Sequence, residues 1–292
     1  MSELRPAPFR WDIARREQLG SLVEGEQAPV YDGFEADLAQ CAARVIANSA
    51  GSDIVFVGRS PEHLYDYLSG IFATVPDAVR LQLLHYSNRW VPPDRLVAED
   101  AGAVRHLFAY FEAEEFDPVS ITTRPRPVTL CDLVAGGGTF ENLLKLMHRF
   151  AGLQGADWNA VQRRLGIVGV TTRGKNSPNA FRWQQHQDWL DLVPDVSIRN
   201  VSAPAEFCGF CAGDNPKVTR SFDVTKWASE AARFPLRGEN HLKALRLAVR
   251  LYDLGNSRDG RDAFARLLTA SPEMRKPEMR SLVQALRMAG SG

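Results

Sequence analysis

The residues whose types and spacing could do chemistry lie together in Cys131-Asp132-Leu133-Val134-Ala135-Gly136-Gly137-Gly138-Thr139. Three consecutive glycines let a backbone turn tightly and let a ligand reach its N–H groups without meeting a Cβ. Thr139 is placed to cap a helix that begins at this corner. The exposed donors of a first helical turn, together with the helix dipole, attract an anion. Asp132 adds one carboxylate beside the corner. The chemistry this combination could do is to hold a phosphate by backbone amides with an acid next to it. A tight turn that holds no ligand is the alternative that the spacing leaves open.

The elements that must position these residues can be read on either side. Val128 to Val134 is mostly apolar and rich in β-branched residues, which predicts a strand buried on both faces. Phe140, Leu143, Leu144 and Met147 follow at helical spacing. A second unit of the same kind precedes it. Ile54 to Val57 predicts a strand, Gly58-Arg59-Ser60-Pro61 a turn, and Leu64, Tyr67, Leu68 and Phe72 a helix, with Pro61 suited to its first position. Arg59 and Ser60 suit either an anion contact or a solvated turn.

Further strands are predicted at 79–86, 166–171 and 196–201, with helices over 33–50 and 94–115. Arg89 follows the strand at 79–86, and the basic turn 172–177, with Lys175, follows the strand at 166–171. Strands alternating with helices predict an α/β fold, a mostly parallel sheet with helices on both faces. In such a fold the turns at 58–61, 87–89, 135–139 and 172–177 all leave C-terminal strand ends, the edge where open sheets bind ligands. Residues 1–32 read as an arm or cap and 33–220 as the α/β core. Residues 221–292 form a helical extension with three amphipathic patterns that suit packed appendages or oligomer contacts, a homo-dimer among them.

Strand, acid, two apolar residues, then Ala-Gly-Gly-Gly-Thr and a helix resembles the PRPP-binding motif of the type I phosphoribosyltransferases, closest to the form in adenine phosphoribosyltransferases. Asp132 matches the second acid of the family's pair, Cys131 stands where the first would be, and Gly136 replaces the usual Thr. The resemblance, which spans about residues 34–205, implies a Mg²⁺-dependent transfer of a 5-phosphoribosyl group from PRPP to an acceptor. It implies that Ala135–Thr139 hold the 5′-phosphate, that Asp132 meets a ribose hydroxyl, and that Arg59 and Ser60 face the pyrophosphate. Arg89 and Lys175 are implied as further pyrophosphate or acceptor contacts. A mobile loop near 117–127 would close over the reacting centre, whereas Arg124 and Arg126, taken singly, read as surface-loop residues. The missing first acid also allows a regulator that binds PRPP or a nucleotide without turnover. Another α/β nucleotide-binding enzyme ranks last, since neither a Walker lysine nor GxGxxG spacing is present.

Composition narrows the classes. With 35 Lys+Arg against 35 Asp+Glu the formal net charge is zero, which argues against nucleic acid as a partner. No run of eighteen apolar residues exists and the first residues show no signal segment, so the expectation is a cytoplasmic protein without membrane contact, acting on small molecules. Four cysteines are too few for a disulfide scaffold. Cys208 and Cys211 form a CxxC with no second pair nearby, so a turn in a loop at 202–216 is favoured over a zinc site. Chain length and the tryptophans Trp90, Trp183 and Trp189 point to an unusual acceptor, whose identity the residues do not reveal.

Overall fold

A computed structural model describes residues 7–87, 92–173, 183–220 and 230–289. Five strands, β1 (Asp53–Val57), β2 (Leu81–Leu84), β3 (Val128–Leu133), β4 (Leu165–Thr172) and β5 (Ser197–Ala203), form one all-parallel sheet in the order β2-β1-β3-β4-β5. This is a doubly wound, Rossmann-like α/β arrangement. Its strand order reverses between β1 and β3, which makes the C-terminal ends of those two strands the switch point.

Alternation along the strands divides the core. Ile54, Phe56, Cys131, Val168 and Val170 face one layer, built from α1 (Phe34–Asn48), α2 (Glu62–Ile71) and α5 (Ala205–Ala212). Val55, Val57, Val128, Leu130, Leu165 and Ile167 face the other, built from α3 (Ala101–Ala113) and α4 (Gly138–Gln154). Both faces of the central strands are therefore dry, which is why β1 and β3 read as apolar runs rather than alternating ones.

The C-terminal helices α6 (Glu239–Asn256), α7 (Arg258–Thr269) and α8 (Pro277–Ala289) extend the first layer. Leu247, Leu251, Phe264, Leu268 and Met279 share one apolar cluster with α1 and α2. The crossing of α2 and α6 is close because both helices present glycine. A Cβ on Gly70 would lie 2.0 Å from the Tyr252 carbonyl oxygen, and one on Gly255 would lie 2.3 Å from that of Tyr67. Residues of the N-terminal segment, Ile13 and Leu19, pack on Ala244, Leu245 and Ala248 of α6.

Several elements differ from the sequence reading. The helix expected over 94–115 is two helices, Pro93–Glu99 and α3, because the Asp100 carboxylate accepts the Ala103 N–H and starts a new helix there. The loop expected around Cys208 and Cys211 is helical. Pro204 opens α5, and Phe207, Cys208 and Cys211 turn into the core. Trp183 and Trp189 lie on two 3-10 turns, Trp183–His186 and Asp188–Leu192.

The segment 117–127 does not cover the C-terminal edge. It contains a short helix, Pro118–Thr123, capped by Asp117, and it leads into the start of β3 at the opposite edge. Arg126 pairs there with Asp53 at 2.7 Å and donates to the Asp77 and Ala78 carbonyls. Arg124, 9% exposed, donates to the Glu115 carbonyl. Both arginines are anchors of the sheet's N-terminal end, not surface-loop or lid residues. Among the described residues, no helix is long and apolar enough to cross a membrane.

Candidate functional site

β3 ends at Leu133, and the chain turns at Ala135–Gly137 into α4. Gly137 is the N-cap, with a left-handed φ of +80° that only glycine adopts freely. The helix therefore starts at Gly138, two residues earlier than a Thr139 cap would place it. Thr139 is its second residue and not the cap, and no side chain caps the helix. The Thr139 hydroxyl instead hydrogen-bonds the carboxyl of Asp132.

The three glycines have different reasons to be there. A Cβ on Gly137 would meet ring carbons of Trp183 at 2.5 Å, so this position is fixed by packing as well as by φ. Gly136 and Gly138 face open space, with nothing within 4 Å of a Cβ built on either. A ligand can approach the start of α4 over those two residues. Ala135 is exposed beside them.

Asp132 lies on the α4 side of the sheet, 6% exposed, across from Gly169 of β4, which in turn pairs with Asn200 of β5. Burial pushes its carboxyl up to about 8, although the Leu133 N–H at 2.7 Å and the Thr139 hydroxyl both favour the ionised form. A positive charge placed beside this carboxyl would lower that value and favour the carboxylate. Cys131 points into the opposite layer, fully buried, and burial raises its thiol well above its ordinary value. It supplies no second acid.

Trp183 forms the wall behind the corner. Its indole N–H donates to Asn200 Oδ1 at 2.8 Å, and Asn200 in turn donates to Gln184 Oε1 at 3.1 Å. The ring stacks on Trp189 with centroids 6.1 Å apart and lies against Phe140. Trp183 and Trp189 are thus buried, 2% and 6% exposed, and serve the core rather than offering a free ring to an acceptor. Asn200 and Gln184 escaped sequence reading because only the fold brings β5 and the 3-10 turn beside the corner.

On the neighbouring strand, Gly58 turns the chain after β1 with φ +78°, and a Cβ there would lie 3.1 Å from the Tyr86 carbonyl oxygen. Arg59 and Ser60 follow, both half-buried, at the same switch point as the glycine corner. Arg59 Nε is enclosed without a hydrogen-bond partner among the described residues. Arg89, Lys175 and Trp90 lie outside the described residues. Cys208 and Cys211 are free thiols buried in the core, and Cys208 hydrogen-bonds the Thr172 side chain. Among the described residues no group of three or more His, Cys, Asp or Glu is arranged to hold a metal.

The chain matches no protein-family model, no curated protein and no solved structure.

Proposed function

We propose that the protein is a phosphoribosyltransferase, transferring the 5-phosphoribosyl group of PRPP to a small-molecule acceptor with release of pyrophosphate, on a type I phosphoribosyltransferase version of the fold. The observation that carries this reading is the meeting, at the switch point of the sheet, of an uncapped helix start that is open over Gly136 and Gly138 with the buried carboxyl of Asp132. The amides of Gly138, Thr139 and Phe140 would take the 5′-phosphate, since the first turn of a helix has no internal acceptors for them. Asp132 would sit beside the sugar and favour the positive charge that grows on its ring. Arg59 and Ser60, on the adjacent strand end, would face the leaving pyrophosphate. Catalysis would then be positioning and electrostatics.

Among the described residues, the Mg²⁺ that the resemblance implies has no set of protein ligands at the corner. Asp132 is the carboxyl that the motif brings to the corner, its affinity for a proton is raised, and Cys131 faces the other layer. The steps above are therefore assigned to the chain's own groups.

Calorimetric titration with PRPP tests the proposal. Saturable heat that is lost in Gly138→Val supports it, and no saturable heat at millimolar ligand ends it. One observation favours a second reading, a regulator that binds PRPP without turnover: the position of the first acid is a core thiol. Binding of PRPP with no pyrophosphate release across a panel of acceptors would favour that reading.

A further inference from the structure

The N-terminal edge of the sheet, opposite the glycine corner, is incompletely covered by helices. α1 ends at Asn48 and α8 begins at Pro277, and between them lies a cavity of about 540 Å³. Its apolar wall is made by Ile46 of α1, Ile54 of β1, Val79, and Met279, Leu282 and Ala285 of α8. Four of these, Ile46, Ile54, Met279 and Leu282, belong to the core cluster on this side of the sheet. Protein interiors leave few voids larger than a water molecule, whereas pockets of about 300–1,000 Å³ take a small organic ligand. The two charged residues of the lining are committed or outward. Arg126 is held by Asp53 and by the Asp77 and Ala78 carbonyls, and Glu278 is exposed.

A second cavity of about 210 Å³ adjoins the first, and Ser49, Ala50 and Ser52 line both. Its floor is the sheet itself, at Thr129 of β3, Gly166 and Val168 of β4 and Ser197 of β5. A Cβ on Gly166 would stand on that floor, 3.4 Å from the Thr129 hydroxyl and 3.6 Å from the Ser197 carbonyl oxygen. Among the described residues, the charged groups lining this second cavity are all basic: Arg163, Arg199 and Lys276. Their acidic neighbours stand outside the lining. Asp157 lies 4.0 Å from Arg163, both of them exposed, and Glu273 accepts from the Ser271 hydroxyl while attracting Lys276 and Arg199. Ser49, where the two cavities meet, is 4% exposed, and its hydroxyl has no hydrogen-bond partner among the described residues. A buried hydroxyl in that state is costly, and an incoming acceptor would satisfy it.

We propose that the two cavities form one binding site for an amphipathic anion, with an apolar chain between α1 and α8 and a carboxylate or phosphate end among Arg163, Arg199 and Lys276. The basic compartment selects this occupant. A purely apolar partner would leave it empty, and an amphipathic cation would meet three like charges. The site lies at the sheet edge opposite the glycine corner and does not rest on the transferase reading.

The test is calorimetric titration of the full chain with laurate, dodecyl phosphate, dodecanol and dodecyltrimethylammonium, each below its micelle concentration. Wild type is compared with Ala285→Trp, which fills the apolar cavity, and with the double variant Arg199→Gln/Lys276→Gln. At least one of the two anions should bind wild type saturably, and the tighter one identifies the head group. Ala285→Trp should weaken that binding about ten-fold or more and the double variant about five-fold or more. Dodecanol should bind more weakly and equally to wild type and the double variant. Arg199 is exposed and Lys276 half-buried, so if Ala285→Trp does not fold, the double variant carries the comparison. No saturable binding of either anion, equal anion binding to wild type and the double variant, or a cation that binds as well as the anions overturns the proposal. Sedimentation velocity covers the other occupant. A dimer that Ala285→Trp abolishes, in a chain that binds neither anion, would assign the cleft to a second copy and overturn it too.

Discussion

Replacing Asp132 by Asn should make the protein more stable at alkaline pH. The carboxyl is displaced from an ordinary 3.8 to about 8 by burial. In the unfolded chain the group loses its proton near pH 4, whereas the folded chain keeps it until about pH 8. Between those values the folded state binds the extra proton, so the contribution to stability is fully present below pH 4 and is lost as pH rises through 8. At ~1.4 kcal/mol per pH unit, a gap of about four units sets an upper limit of about 5–6 kcal/mol on the cost of the carboxylate at pH 9. Water entry and side-chain relaxation recover part of that cost, leaving roughly 2 kcal/mol or more. Asn does not ionise, and its amide oxygen can still accept from the Leu133 N–H and the Thr139 hydroxyl that serve Asp132. Urea unfolding at pH 5, 7 and 9 measures the difference. The advantage of Asn should be smallest at pH 5 and grow steadily with pH, to about 2 kcal/mol or more at pH 9. Parallel pH profiles, or an Asn variant that is weaker at pH 9, would refute the reasoning. A stabilised variant that has lost PRPP turnover would mark Asp132 as a group retained at the expense of stability.

Gly138→Ala should leave stability unchanged or raise it by about 0.5–1 kcal/mol, because its Cβ meets nothing within 4 Å, while weakening PRPP binding at least ten-fold; equal affinity by calorimetry would remove the corner from the site. Gly70→Ala should destabilise by about 1–3 kcal/mol or more, since its Cβ would lie 2.0 Å from the Tyr252 carbonyl oxygen, and denaturant unfolding checks this. Trp183→Ala should lose about 3–5 kcal/mol and the near-UV circular-dichroism signal of the Trp183–Trp189 stack, and retention of that signal would argue against the stacking. His63 is pushed down from 6.5 to about 4 by burial, so it stays neutral in the fold. Its contribution is present above pH 6.5 and is lost as pH falls toward 4. His63→Leu should therefore flatten the acid limb of the stability profile, and an unchanged limb would contradict the assignment.

Apolar runs, glycine turns and helical spacing are local properties, and they sufficed to read the strands at 54–57 and 128–134, the parallel α/β class and three C-terminal helices. They also marked the Gly136–Gly138 corner and Arg59, because a turn that needs glycine shows in the residue type itself. The role of each glycine was not local. Gly137 is set by its φ and by an indole 46 residues away, whereas Gly136 and Gly138 are open, and only packing distinguishes them. Arg124 and Arg126 illustrate the same limit. Their spacing allowed a lid or a surface loop, and the sheet made them anchors at the far edge, where Asp53 and the Asp77 and Ala78 carbonyls offer partners.

The order of the elements along the chain was therefore written in the sequence, through periodicity and turn chemistry, and so was the type of residue at each strand end. Which strand ends became neighbours was decided by the sheet order, which sets β1 against β3 and so brings Arg59 and Asp132 to one switch point. The burial that raises Asp132 arose from the same source. A charge is perturbed by what surrounds it in space, and those surroundings come from segments that are remote along the chain.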